Sequence, residues 1–147
     1  MFVFSKVRMY TIKLIDKENL NTVIPLLKIL NSTTSEAILQ ERLDDMKLHP
    51  YHCIGVYDEE KLIGICGFWL LVKHYVGKHI EPDNVLIIPE YQGKKIGELM
   101  LQWIYDYGRQ NGCVASELNC YVGNSAGVKF WINQGFKIIG YHFQKHL

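Results

Sequence analysis

The chain of 147 residues lacks most of the features that would send it to a membrane, a nucleic acid or an oxidising compartment. No apolar run approaches the ~20 residues of a membrane-spanning helix. Sixteen basic residues stand against fifteen acidic ones, a net charge of +1, so no basic excess points to nucleic acid and no acidic excess to disorder. The four cysteines (Cys53, Cys66, Cys113, Cys120) form no Cys-x-x-Cys pair, and three lie in apolar, strand-like surroundings. Reduced, small hydrophobic side chains are expected. Six histidines are scattered without the spacing of metal ligands, so no structural metal is expected. Residues 1–8 lack the length and cleavage site of a signal peptide, which leads to an expected cytoplasmic location, with Met9 a second candidate start. There is no internal repeat, low-complexity stretch or linker, and nearly half of the residues are hydrophobic. One domain over 1–147 with a sizeable core is expected.

What the chain does have is an apolar run ending at Ile87-Ile88-Pro89, then the polar loop Glu90-Tyr91-Gln92-Gly93-Lys94-Lys95. Apolar residues return at Ile96, Leu99, Met100, Trp103, Ile104 and Tyr107, one face of a helix. A strand feeding a glycine-bearing loop at a helix start makes an anion site. The first helical N–H groups have no intrahelical partner, and the dipole adds partial positive charge. Gly93 and Gly97 allow close approach to the backbone, and Lys94 and Lys95 add full charges. The plainer alternative is an ordinary strand-to-helix connection with solvated lysines. The spacing is neither that of a P-loop nor that of the dinucleotide-binding fingerprint.

The remaining pattern predicts a strand over Met9 to Ile15 and a helix with Leu20, Val23, Ile24, Leu27 and Leu30 inward. That helix is kinked at Pro25 or begins at it. Thr33-x-x-Glu36 reads as a capping box for a second helix ending before His49-Pro50. Strands follow over Tyr51–Tyr57, Leu62–Tyr75 and His79–Ile88, with a bulge expected near Pro82. The helix after the loop reaches about Asn111. A strand over Ser116–Val122, a helix capped by Asn124 through Gln134, and a strand over Phe136–Tyr141 complete the order.

The loop Pro89-Glu90-Tyr91-Gln92-Gly93-Lys94, with Ile96-Gly97, resembles motif A of the GNAT superfamily of acyl-CoA-dependent N-acetyltransferases, commonly Gln/Arg-x-x-Gly-x-Gly/Ala. Lys95 stands where the middle glycine is usual. Asn124-Ser-Ala126 with Phe130-Trp131 and Gly135-Phe136 resembles the family's second motif, and the order of elements is also the family's. The resemblance covers roughly Met9 to Tyr141. It implies an α/β fold with a mostly antiparallel central sheet, about four helices, and a cleft for acetyl-CoA where the fourth and fifth strands splay apart. It implies that Gln92, Gly93, Lys94, Lys95, Ile96 and Gly97 bind the pyrophosphate. Backbone atoms around Ile87 would bind pantetheine, and Asn124 and Trp131 would contribute beside it.

The expected reaction moves an acetyl group directly from acetyl-CoA to a primary amine of a small molecule or a protein. Glu81, six residues before Ile87, matches the catalytic glutamate of the superfamily's histone-acetyltransferase branch and is the candidate general base. The alternative is a strand residue in solvent. Asp83 shares its face in a regular strand, and the two together would favour a cationic acceptor. Trp131 occupies a position where many relatives have a tyrosine that protonates the leaving thiolate. Indole N–H is too weak an acid, so Tyr121 or water would substitute, or the protein binds acyl-CoA without transfer, as a non-catalytic module. Trp131 as core and Asn124 as helix cap are the alternatives there. The chain is short for the hairpin that closes many relatives, so an open sheet edge pairing with a second subunit, in a homodimer, is a further expectation.

Overall fold

A computed structural model describes residues 9–147; the expectations placed on residues 1–8 lie outside it. Five strands form one sheet in the order β1-β2-β3-β4-β5: β1 (Thr11–Leu14), β2 (Tyr51–Asp58), β3 (Lys61–Lys73), β4 (Gly77–Ile87) and β5 (Ala115–Ser116). The first four pair antiparallel, and β5 joins β4 in parallel. The described residues also hold four α-helices: α1 (Ile24–Leu30), α2 (Glu36–Met46), α3 (Ile96–Gln110) and α4 (Ser125–Asn133).

Proline resolves the first helix. A 3-10 turn runs over Lys17–Val23, and α1 then starts at Ile24 with Pro25 in its first turn, where the missing N–H costs nothing. The capping box expected at Thr33 is corrected. Ser35 caps α2, its hydroxyl accepting from the Ile38 N–H at 3.3 Å, and Glu36 is the first helical residue instead of the third.

The core fills both faces of β2–β4. On one face Ile80 meets α3 at Gly108, where an added Cβ would lie 3.1 Å from the Ile80 side chain, and Phe68 contacts the Trp103 and Tyr107 rings. Cys53 and Cys66 are buried, and burial raises both thiols, Cys53 to about 12. They pack as small apolar groups, as expected.

Two expectations about the last third are corrected. The strand expected over Ser116–Val122 ends at Ser116, and the one expected over Phe136–Tyr141 does not form. A strand exists only where a neighbour takes its hydrogen bonds. After the Glu117 N–H bonds to the Ile80 carbonyl (3.1 Å), the chain leaves β4, and among the described residues no strand lies on its other side.

Candidate active site: a forked sheet beside an anion-binding helix start

The register of β3 on β4 shifts between Cys66 and Gly67, leaving Asn84 as the extra residue, at φ +45°. The bulge thus lies two residues beyond Pro82. Tyr51 fills the space, its hydroxyl donating to Asn84 Oδ1 at 3.2 Å, and Gly67 leaves room for its ring. Because the bulge comes after Asp83, the pairs Trp69↔Glu81 and Gly67↔Asp83 stay regular. Glu81 and Asp83 therefore share a face, opposite the Ile80 and Pro82 face.

β5 pairs with β4 only at His79↔Ala115 and Ile80↔Ser116. Beyond that point the two strands splay, and the β4 edge from Glu81 to Ile87 has no β5 neighbour. Glu81 stands at the fork. Its side chain is 15% exposed, so it is not a solvated strand residue. Glu81 Oε1 lies 2.9 Å from His79 Nε2 and 3.4 Å from Lys73 Nζ. His79 is fully buried, and its Nδ1 lies 3.0 Å from the Gly77 carbonyl, which can only accept. The ring thus lies between two acceptors, and its tautomer decides which nitrogen donates. The Tyr75 hydroxyl donates to Glu117 Oε1, and that bond raises the hydroxyl above its ordinary range. Asp83 accepts from the Trp69 indole N–H at 2.9 Å.

His79, Glu81 and Glu117 bring ligand-type atoms within 4.8 Å of one another, a grouping that the sequence did not suggest. His79 and Glu81 sit two apart on one strand face, but Glu117 arrives only through the parallel β4–β5 contact. Lys73 and the Tyr75 hydroxyl already supply hydrogens to these carboxylates, which suits an ion-paired cluster.

At the other end of β4, a 3-10 turn (Pro89–Tyr91) leads into the loop. Tyr91 is buried and donates to Asp58 Oδ2 at 2.5 Å, pinning the turn to the end of β2. Gln92 Nε2 donates to the Ile87 carbonyl at 2.9 Å, drawing the loop back onto β4. Gly93 has φ +75° and Lys95 is left-handed at φ 61°, ψ 20°. Among the described residues, none of the N–H groups of residues 93–98 donates a hydrogen bond within the chain. Successive free amides in alternating handedness form a concave anion-binding nest at the start of α3. Lys94 reaches over the Tyr91 ring (5.0 Å) beside it. At the middle position, where glycine is usual, Lys95 itself takes the left-handed conformation.

The second motif is less closely assembled. Asn124 caps α4, its Oδ1 accepting from the Gly127 N–H at 3.0 Å. Trp131 packs edge-on against Phe130 and Phe136, ring centroids 5.0 and 5.4 Å away. The Phe130 ring also lies close to Gly97, which links α4 to the start of α3. Tyr121 is 89% exposed.

A mixed sheet that forks beside free amides offers a strand edge and an anion-binding helix start side by side, groups suited to an extended, phosphate-bearing ligand. The chain belongs to the GNAT acetyltransferase family: the model of "Acetyltransferase (GNAT) family" matches residues 23–136. Among curated proteins it is 28% identical over 67 residues to an aminoalkylphosphonate N-acetyltransferase of Salmonella typhimurium strain LT2. That match spans 46% of this chain and 44% of the relative, less than half of its length. Among solved structures, the aminoglycoside N-acetyltransferase AAC(6')-Iy in complex with CoA superposes with a TM-score of 0.83 at 11% identity, covering 99% of both chains. The ribosomal-protein-alanine N-acetyltransferase of Brucella melitensis biovar Abortus 2308 gives 0.80 at 15% identity, over 95% of this chain and 99% of that one. At these identities the likeness is one of fold. The expected GNAT fold, with its splayed β4/β5 cleft, is the fold observed.

Proposed function

We propose that the chain, as one GNAT domain, transfers the acetyl group of acetyl-CoA directly to a primary amine. Family membership supports that activity, and the observation that carries the residue assignment is the fork. There a largely buried carboxylate, the free β4 edge and the nest of six amides lie along one strand-loop-helix unit. The residues present fit the coenzyme: an unpaired strand edge suits an amide-bearing arm, and free N–H groups with two lysines suit a pyrophosphate. Bound there, acetyl-CoA supplies an activated acetyl thioester.

The amides of residues 93–98 hold the phosphates, with Lys94 and Lys95 adding charge, and Gln92 keeps the loop against Ile87. Backbone groups near Ile87 bind the arm and orient the thioester, and Asn124 and Trp131 border it from α4. Glu81 takes the proton of the attacking amine, directly or through one water, while His79 and Lys73 fix its carboxylate. Asp83, on the same face, favours an acceptor carrying further positive charge, such as a polyamine, an amino sugar or a lysine side chain. Tyr121 Oη is the proposed donor to the departing thiolate and must turn inward for that role. Among the described residues no helix is long and apolar enough to cross a membrane, and we place the reaction in the cytoplasm.

Kinetics on Glu81→Gln test this reading. The predicted result is a fall in turnover by about 10²–10⁴-fold with unchanged acetyl-CoA affinity, and a smaller fall for Tyr121→Phe. Turnover unchanged in Glu81→Gln would remove Glu81 from the mechanism. Cofactor binding by the native chain without transfer to any cationic amine would make it a binding module.

A further inference from the structure

Trp69 lies on β3 directly opposite Glu81, so the two side chains rise as neighbours from one face of the sheet. Its indole leans diagonally across β4 and donates from Nε1 to Asp83 Oδ2 at 2.9 Å. The ring also rests against the buried Tyr51 ring, with centroids 5.0 Å apart. Both supports are tied to the bulge. The Asn84 N–H donates to Asp83 Oδ1 at 2.9 Å, and Asn84 Oδ1 accepts from the Tyr51 hydroxyl at 3.2 Å. The bulged residue therefore clamps both groups that hold the indole.

A tryptophan that only filled the core would be covered, but Trp69 stays partly exposed beside the carboxylate at the fork. With its N–H bonded and its ring braced, it has little freedom left to lose when a ligand arrives. Its apolar surface suits a methylene chain, and the negative face of its ring attracts a cation. The surrounding charge points the same way. Glu81, Asp83 and Glu117 bring three carboxylates to this side, against the Lys73 ammonium 3.4 Å from Glu81. An amine that also carries an anion is repelled there, while one with a second ammonium is attracted.

We propose that Trp69 is a specificity-determining residue for the acceptor. Its indole receives the methylene chain and ammonium of an unbranched alkylamine, and the site selects amines with a second cation over those with an anion. A chain laid on the indole delivers its terminal nitrogen to Glu81, the next side chain across the strands. The inference rests on the acetyl-transfer reading for the place of Glu81. It goes further in assigning recognition to a side chain of β3 and in giving Asp83 the second task of holding it.

Isothermal titration in the presence of CoA, with three amines of one chain length, tests the assignment: 1,4-diaminobutane, butylamine and 4-aminobutanoate. The native chain should bind the diamine most tightly and the aminobutanoate least. Trp69→Leu should weaken the diamine about tenfold and leave acetyl-CoA affinity unchanged, whereas Trp69→Phe should keep most of the affinity. Diamine binding should also change the indole fluorescence of the native chain, and that change should vanish in Trp69→Phe although Trp103 and Trp131 remain. Equal affinity for diamine and aminobutanoate, or binding of none of the three, would overturn the proposal. So would undiminished diamine affinity in Trp69→Leu, or an unaltered fluorescence change in Trp69→Phe. Acetyl transfer to the same amines separates the two readings. Trp69-dependent binding without transfer contradicts the acetyl-transfer reading and leaves the platform standing, while transfer with full affinity in Trp69→Leu does the reverse.

Discussion

Lys95 carries the strain in the cofactor loop. Its left-handed backbone costs a non-glycine residue about 1–2 kcal/mol, in a loop whose amides over residues 93–98 have no partner among the described residues. Lys95→Gly should raise stability by up to about 1 kcal/mol, the relieved strain less glycine's greater loss of freedom. Lys95→Val, β-branched and averse to that region, should lower it by about 1 kcal/mol or more. Urea unfolding of the two variants checks both signs. His52 makes a separate contribution. Burial against Phe68 and Tyr107, with Lys17 adding to it, holds its pKa below the ordinary 6.5. As the pH falls, the unfolded chain therefore takes up this proton first, and stability is lost as the pH drops through the folded value. Melting curves from about pH 7 to 5 should show His52→Phe losing less stability than the native chain.

Among the elements, β4 does most to organise the site. Its bulge puts Asn84 at positive φ, keeps Glu81 and Asp83 in step, and depends on Gly67 leaving space for Tyr51. Gly67→Ala forces its methyl into the Tyr51 hydroxyl and ring, and should cost about 1–3 kcal/mol. It should also weaken acetyl-CoA binding, because the β4 edge shifts. Isothermal titration together with denaturant unfolding separates the two effects. Pro82 advertised an irregularity in the sequence, since proline cannot donate to a ladder. The exact bulged residue was not legible, because it is set by how the Tyr51 ring fits across two strands. The Thr33 box misplaced the α2 cap for a related reason. Three polar residues in a row (Thr33, Thr34, Ser35) can each cap, and packing chooses among them.

At the scale of the whole molecule, local signals sufficed for the first four strands, for α1 to α3 and for the amide nest. Strand alternation, proline at α1 and the Gln92–Gly97 loop all carry their reasons within a few residues. The His79–Glu81–Glu117 cluster was hidden because a parallel contact joins residues far apart in sequence. The strands expected over Ser116–Val122 and Phe136–Tyr141 were misread, because apolar alternation in sequence does not say whether a neighbouring strand is there to pair with.

The central claim is that the forked sheet and the nest bind acetyl-CoA, and thermal unfolding with and without it is the most direct test. At ~100 times the dissociation constant the ligand should add about 2.7 kcal/mol, raising the melting midpoint by about 5–10 °C. Gly93→Asp, which places a carboxylate on the nest, should abolish that rise while leaving the unliganded fold cooperative. No rise with acetyl-CoA, or an equal rise in Gly93→Asp, would contradict the assignment of the cofactor site.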